Sequence, residues 1–306
     1  MTDSRAVLVT GATGMQGGAA VDALLEAGFA VRALTREPQS PAAQALAARG
    51  VGLAQGGFDD VASLTAAMAG AHGVFSMQNV SPADDPGAEV RHGRNLLTAA
   101  HEAGITAFIH TSVARAGDQT NFADWTGGGF LATYWNGKSG VNDLVRASGL
   151  PQWTVLKPAY MLDNFVPPKA AWMYPGLVGR VIETAMTPDA RLDVLAAADV
   201  GRFAVAALLD PARFSGQEID LAAASVTMTE VADAISAATG QTVTARSLAA
   251  DELVAKGYSP GLVNNQLWAN TEGYRVDLAR AASFGIAFET LEQWARRNAG
   301  RFHFND

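Results

Sequence analysis

Tyr134 and Lys138 stand four residues apart in the run Tyr134-Trp135-Asn136-Gly137-Lys138. On a helix, positions i and i+4 share one face, which brings a phenol and an ammonium together. A nearby ammonium favours the phenolate, so the phenol is suited to giving or taking a proton. As a bare pattern the spacing is common. An aromatic packed into a core is the plainer reading of Tyr134, and a surface lysine that of Lys138. Gly137, inside the motif, weakens the helix that the pairing needs.

A second group of residues is built for binding. Gly11-Ala12-Thr13-Gly14-Met15-Gln16-Gly17 lies between a strand-like run, Ala6 to Thr10, and a helix-period run ending at Gly28. In that context Gly11 permits a tight turn, Gly14 lets backbone approach a pyrophosphate, and Gly17 permits close packing of helix on strand. The new helix offers free N–H groups and a positive dipole end to the anion. A glycine-rich turn without a ligand is the alternative. The second strand ends Leu34-Thr35-Arg36, where a binder of NAD usually carries an acid for the ribose 2′-hydroxyl. A guanidinium suits a 2′-phosphate instead, which predicts NADP(H) in preference to NAD(H).

The elements that must position these residues follow from alternation. Strand signals at 6–10, 29–36, 51–55, 72–77, 107–112 and 153–158 are separated by helix signals, the last near 133–148. Strands apolar on both faces and joined by helices predict an α/β fold, a doubly wound parallel sheet of the Rossmann type. After Pro158 the rhythm breaks into a stretch rich in aromatic residues and proline. A capped helix follows at 198–211 and a seventh strand at 217–222. The expected layout is a nucleotide-binding domain, 1–158 plus about 193–224, and a smaller, mostly helical substrate domain, about 159–192 plus 225–306.

The 306 residues carry a formal net charge of −8 and no cysteine. Acidic and basic residues are mixed, with no basic footprint for nucleic acid, and thiol chemistry is excluded. His110 sits inside a strand pattern and reads as structural. No histidine pair has metal-ligand spacing, and Asp59, Asp60, Asp84 and Asp85 fall in loop or capping contexts, so no metal is expected. No apolar run approaches the ~20 residues of a membrane span, and the opening residues lack a signal-peptide pattern. A soluble cytoplasmic protein is the expectation. A homodimer is compatible with the sequence, although no feature points to one.

The opening Val9-Thr10-Gly11-Ala12-Thr13-Gly14-Met15-Gln16-Gly17-Gly18, the Leu34-Thr35-Arg36 end of strand two, the run 55–60 and the block 136–165 resemble the NmrA-like branch of the atypical short-chain dehydrogenase/reductases. The resemblance implies that Gly11, Thr13, Gly14, Met15, Gln16 and Gly17 wrap the pyrophosphate. It implies that Arg36 takes the 2′-phosphate and that Gly57 and Phe58 flank adenine, although many relatives have aspartate in place of Gly57. Met77, Gln78 and Asn79 then line the path to nicotinamide, with Ala159, Tyr160 and Asn164 as contacts after strand six. Lys138 orients the nicotinamide ribose, Tyr134 is the proton donor, and Ser112 orients a carbonyl, with Val113 the alternative occupant of that serine position. Tyr160, Phe165, Trp172 and Trp268 are candidate substrate walls, and such walls suit planar apolar molecules. The branch holds both reductases of quinones, azo dyes and related acceptors, and sensors that bind NADP(H) without turnover and act through a protein partner. Two functions are therefore expected: an NADPH-dependent reductase of a planar, electron-poor quinone, azo, imine or carbonyl compound, or a redox sensor.

Overall fold

A computed structural model describes residues 5–123, 125 and 129–305. Up to Pro158 the described chain alternates β1 (Ala6–Val9), α1 (Met15–Glu26), β2 (Ala30–Thr35), α2 (Pro41–Ala47), β3 (Gly52–Gln55), α3 (Val61–Met68), β4 (Gly73–Ser76), α4 (Ala88–Glu102), β5 (Ala107–Thr111), α5 (Gly129–Arg146) and β6 (Gln152–Pro158). The strands pair in parallel in the order β3-β2-β1-β4-β5-β6. The strand Gln217–Leu221 adds a seventh member beside β6. This is the doubly wound α/β sheet that the alternation predicts. The order reverses between β1 and β4, so their carboxyl ends flank the crevice where such sheets take ligands.

Local chemistry accounts for the element ends. Ser40 caps α2, its hydroxyl accepting from the Ala43 N–H, and Pro41 follows as the first helical residue. Asp60 caps α3 in the same way, accepting from the Ser63 N–H. Every residue of β4 and β5 is buried. One core, including Leu8, Leu64, Met68, Leu96, Phe108 and Val145, joins the sheet to the α3, α4 and α5 layer.

Glycines set how closely the helices approach. A Cβ on Gly93 of α4 would lie 2.9 Å from Val141 of α5, and one on Gly140 of α5 would lie 2.8 Å from Val90 of α4. The helix Ala197–Leu209 packs against α1, and a Cβ at its Gly201 would lie 2.4 Å from the carbonyl oxygen of Ala19 on α1. Any larger residue there forces backbone apart.

The chain divides into two compact units, Met1–Pro158 with Ala197–Asp220, and Ala159–Ala196 with Leu221–Asp306. The strand Leu192–Leu195, near the expected return at about 193, pairs with Tyr160–Met161 and Ala224–Val226 inside the second unit. Besides its helices this unit has a second small sheet, Val181–Thr184 with Thr244–Ser247. Strands of two to four residues carry no readable period, which is why the sequence shows neither sheet. Thr227 and Glu230 form the predicted capping box. The aromatic residues pack with one another: Phe165 stacks on Tyr174 at 4.3 Å and meets Trp294 edge-on.

Candidate active site

The first turn of the chain is held by its own backbone. Gly11 adopts φ +63°, and the Gly14 N–H donates back to its carbonyl at 2.9 Å. A Cβ at Gly17 would stand 2.1 Å from the Gly11 oxygen, so only glycine lets α1 start this close to β1. Gly14 is the N-cap and supplies no side-chain hydrogen bond, so the first-turn N–H groups of α1 have no side-chain cap. Thr13 and Gly14 are exposed, and Met15 and Gln16 half-buried, at this turn. An anionic group fits here by backbone donors and dipole together.

Two contacts absent from the sequence reading brace the turn. The Thr10 hydroxyl donates to the Met77 carbonyl at 2.8 Å and accepts from the Met77 N–H at 2.7 Å, lacing the ends of β1 and β4. Thr111, at the end of β5, donates to Oε1 of Gln16 at 2.6 Å. A threonine at the end of a strand is the only sequence signal of either. Met77 also lies against Gly11, where a Cβ would meet its methyl at 2.4 Å.

Arg36 is exposed at the end of β2 and forms no ion pair among the described residues. Its guanidinium is therefore not already spent on a carboxylate. Gly57 faces open space, with its N–H donating to Ser63 Oγ. Phe58 stacks on His92 at 5.2 Å. Asn79 is exposed, whereas Gln78 is buried and donates to Ser76 Oγ.

On α5, Lys138 is nearly buried, and its Nζ lies 2.6 Å from Oε1 of Glu89. The same Nζ stands 5.8 Å from the centre of the Tyr134 ring, within reach of the ring face. Tyr134 and Lys138 thus lie side by side on α5. The ammonium also has a carboxylate partner, which the sequence did not reveal. Glu89 is fully buried in the first turn of α4, and burial pushes its carboxyl above the usual range while the Lys138 charge opposes the rise. Asn142, one turn beyond Lys138, is buried with neither amide atom hydrogen-bonded among the described residues.

Ser112 follows β5, buried, its hydroxyl without a partner among the described residues. Val113 is buried beside it. His110 binds Ser76 through Nδ1 at 3.1 to 3.2 Å. Burial, with the Lys138 charge adding to it, pushes its imidazole down to about 3. It is therefore neutral across the physiological range, in keeping with a structural histidine. Together Gln78 Oε1, His110 Nε2, Ser112 Oγ and the Asn142 amide are buried polar atoms short of partners. Such atoms ordinarily find water or ligand.

The remaining candidates belong to the second unit. Ala159, Tyr160 and Asn164 are buried there, and the Tyr160 hydroxyl shares a 2.7 Å hydrogen bond with that of Tyr174. Phe165 has no exposed surface. Trp172 is 56% exposed, with the Lys169 ammonium 5.9 Å from its ring centre. Trp268 is half-buried, edge-on to Tyr274. A cavity in this unit, lined by Arg191, Glu230, Asp233, Phe288 and Glu289, contains none of the predicted site residues. No described helix is long and apolar enough to cross a membrane.

Known proteins resemble this arrangement. The profile described as the NmrA-like family matches residues 3–294. An NmrA-like family domain-containing oxidoreductase, ptmS of Penicillium ochrochloron, is 31% identical over 187 residues, which is 58% of this chain and 53% of that protein. The chain thus spans about half the length of that relative. Quinone oxidoreductase 2 of Escherichia coli K12 is 26% identical over 84% of this chain and 82% of its own. The crystal structure of the Escherichia coli NADPH-dependent quinone oxidoreductase QOR2 with NADPH superposes with a TM-score of 0.73 at 23% identity, over 95% of this chain and 99% of that one. NmrA, a negative transcriptional regulator, crystallised with NADP, gives 0.74 at 22% identity over 96% and 95%. Reductases and a regulator thus share the fold.

Proposed function

The chain belongs to the NmrA-like family, and from that premise we propose that it is an NADPH-dependent reductase of planar, electron-poor small molecules: quinones, azo compounds, imines or carbonyls. The observation that carries the reading is the tight glycine turn opening on the uncapped start of α1, at the switch point of the sheet. Gly11, Thr13, Gly14, Met15, Gln16 and Gly17 would hold the pyrophosphate there, and Arg36 the 2′-phosphate. Gly57 and Phe58 would flank the adenine, and Met77, Gln78 and Asn79 would line the way to the nicotinamide. The uncapped amides and the partnerless Gln78 and Ser112 atoms fit a bound dinucleotide.

When bound, the nicotinamide supplies the hydride, which is the difficult chemistry. Lys138 orients the ribose by hydrogen bonding. Tyr134 or water delivers the proton, and Ser112 orients a carbonyl acceptor. A quinone gains one hydride and one proton to become a hydroquinone. It has little need of an acid, because its reduced oxygen is a stabilised phenolate.

The test is NADPH oxidation by the purified chain over a panel of quinones, azo dyes, imines and aldehydes, with Lys138→Ala beside it. Turnover of at least one class, reduced ~10-fold or more in the variant, is the expected result. No turnover anywhere, with NADPH still bound tightly, overturns it in favour of a redox sensor. Such a sensor must bind NADP+ and NADPH with different affinities and pass that difference to a protein partner.

Tyr134→Phe separates the acceptor classes. Quinone turnover should persist within about twofold, while carbonyl reduction falls ~100-fold, the usual contribution of a positioned acid. Equal retention of every acceptor removes Tyr134 from the mechanism.

A further inference from the structure

We propose that Glu89 is a positioning residue: its buried carboxylate holds the ammonium of Lys138 at the cofactor and compensates its charge. The proposal rests on the reading of Lys138 as a ribose ligand.

Three features support it. The Nζ to Oε1 separation is 2.6 Å, and the side chains are 10% and 1% exposed, so little water competes for either group. Neither Glu89 oxygen has a well-directed hydrogen bond among the described residues, so Lys138 is its principal partner. Gly137 makes the contact possible: a Cβ there would sit 2.6 Å from Oε2 of Glu89. The glycine that weakens the helix beside Lys138 is the residue that admits the carboxylate.

The sequence offers no cheaper reason for an acid at this depth. An ionised carboxylate is rarely buried unless paired. Glu89 lies in the first turn of α4, where the helix dipole favours negative charge, and its N–H is bound by the Ser81 hydroxyl. The helix end therefore favours a negative charge at the place where the carboxylate meets Lys138. An ammonium has three donors, so pairing with one carboxylate leaves capacity for ribose hydroxyls.

Compensation also changes what Lys138 can do to Tyr134. The carboxylate's field opposes that of the ammonium at the phenol, so Lys138 acts here as a donor to the cofactor more than as an acidifier of the phenol. This agrees with acceptors that need little acid help.

A double-mutant cycle on the full chain tests the proposal, with NADPH affinity measured by fluorescence titration and unfolding midpoints recorded for each variant. Glu89→Gln keeps the shape and removes the charge. It should weaken NADPH ~10-fold. Lys138→Met should also weaken it, and in that background Glu89→Gln should add less than about twofold. An equal loss in both backgrounds marks Glu89 as a packing residue and overturns the proposal. No loss from Glu89→Gln, with Lys138→Met still weak, overturns it while the reading of Lys138 survives. NADPH bound by Lys138→Met as tightly as by the parent overturns both. If Glu89→Gln does not fold, Gly137→Ala, whose methyl displaces the carboxylate, completes the same cycle with Lys138→Met and is read in the same way.

Discussion

Arg36→Glu should invert the cofactor preference. The guanidinium is exposed at the end of β2 with no carboxylate partner among the described residues. A charge-assisted contact to a 2′-phosphate contributes roughly 1.5 to 3 kcal/mol, or about 10- to 100-fold in affinity. Reversal adds repulsion to that loss, so NADPH should weaken ~100-fold or more. NADH has no phosphate at this position and should bind as before or better. The glutamate would stand where NAD-binding sheets carry the acid that holds the ribose hydroxyls. Paired titrations of the parent and the variant with both cofactors give the answer. Equal parental affinity for NADPH and NADH, with neither moved by the substitution, would dispose of the assignment. The result does not depend on turnover, so it holds whether the chain reduces a substrate or only senses the cofactor.

Gly17→Ala is expected to be strongly damaging, since among the described glycines its added Cβ meets the shortest contact. Its Cβ would lie 2.1 Å from the Gly11 oxygen and 2.4 Å from the Gly11 carbonyl carbon. Both are backbone atoms of the turn, so no side chain can swing aside. Overpacking of this kind costs about 1 to 3 kcal/mol even where relaxation is possible. Here the relaxation is the displacement of α1 from β1, which would move the amides away from the pyrophosphate of the proposed cofactor. The expected outcome is a folded but destabilised protein with NADPH affinity reduced ~100-fold or below detection, an estimate that takes ~3 kcal/mol as lost from binding. Gly18→Ala is the control: its Cβ would meet the Ala12 oxygen at an ordinary 3.5 Å. Unfolding midpoints and NADPH titrations for the pair decide the matter. Indistinguishable affinities would mean that the close approach at Gly17 does not shape the binding turn.

The sheet was legible because its signals are local. Each strand is a short apolar run, Gly28, Gly50, Gly70, Gly104 and Gly149 follow the first five helices, and the motif at Gly11 to Gly17 is read over seven consecutive residues. The candidate site was legible for the same reason wherever one element supplies it, as at the α1 turn, Arg36, and Tyr134 with Lys138. It was illegible wherever two elements must meet. Glu89 looks like any acid in the first turn of a helix, and nothing in the chain says that it faces a residue 49 positions later. A signal was nonetheless present. Gly93, Gly137 and Gly140 all interrupt helices that propensity alone would have filled with other residues. Each marks where α4 and α5 approach too closely for a Cβ, and one of those places is the ion pair. The small sheets of the second unit left no such mark.

The fit of Gly201 against α1 has a consequence for synthesis. The helix that packs on α1 lies about 180 residues downstream of it, and the strand beside β6 comes later still. While the nascent chain emerges, the first six strands can assemble, yet α1 keeps a bare flank until residue 209, and β6 an open edge until residue 221, has left the ribosome. An open edge is a template for wrong partners. The glycine turn ahead of α1 therefore gains its full support only after about two thirds of the polypeptide has been made. A fragment ending at Pro158 would carry every glycine of the motif without the helix that braces α1.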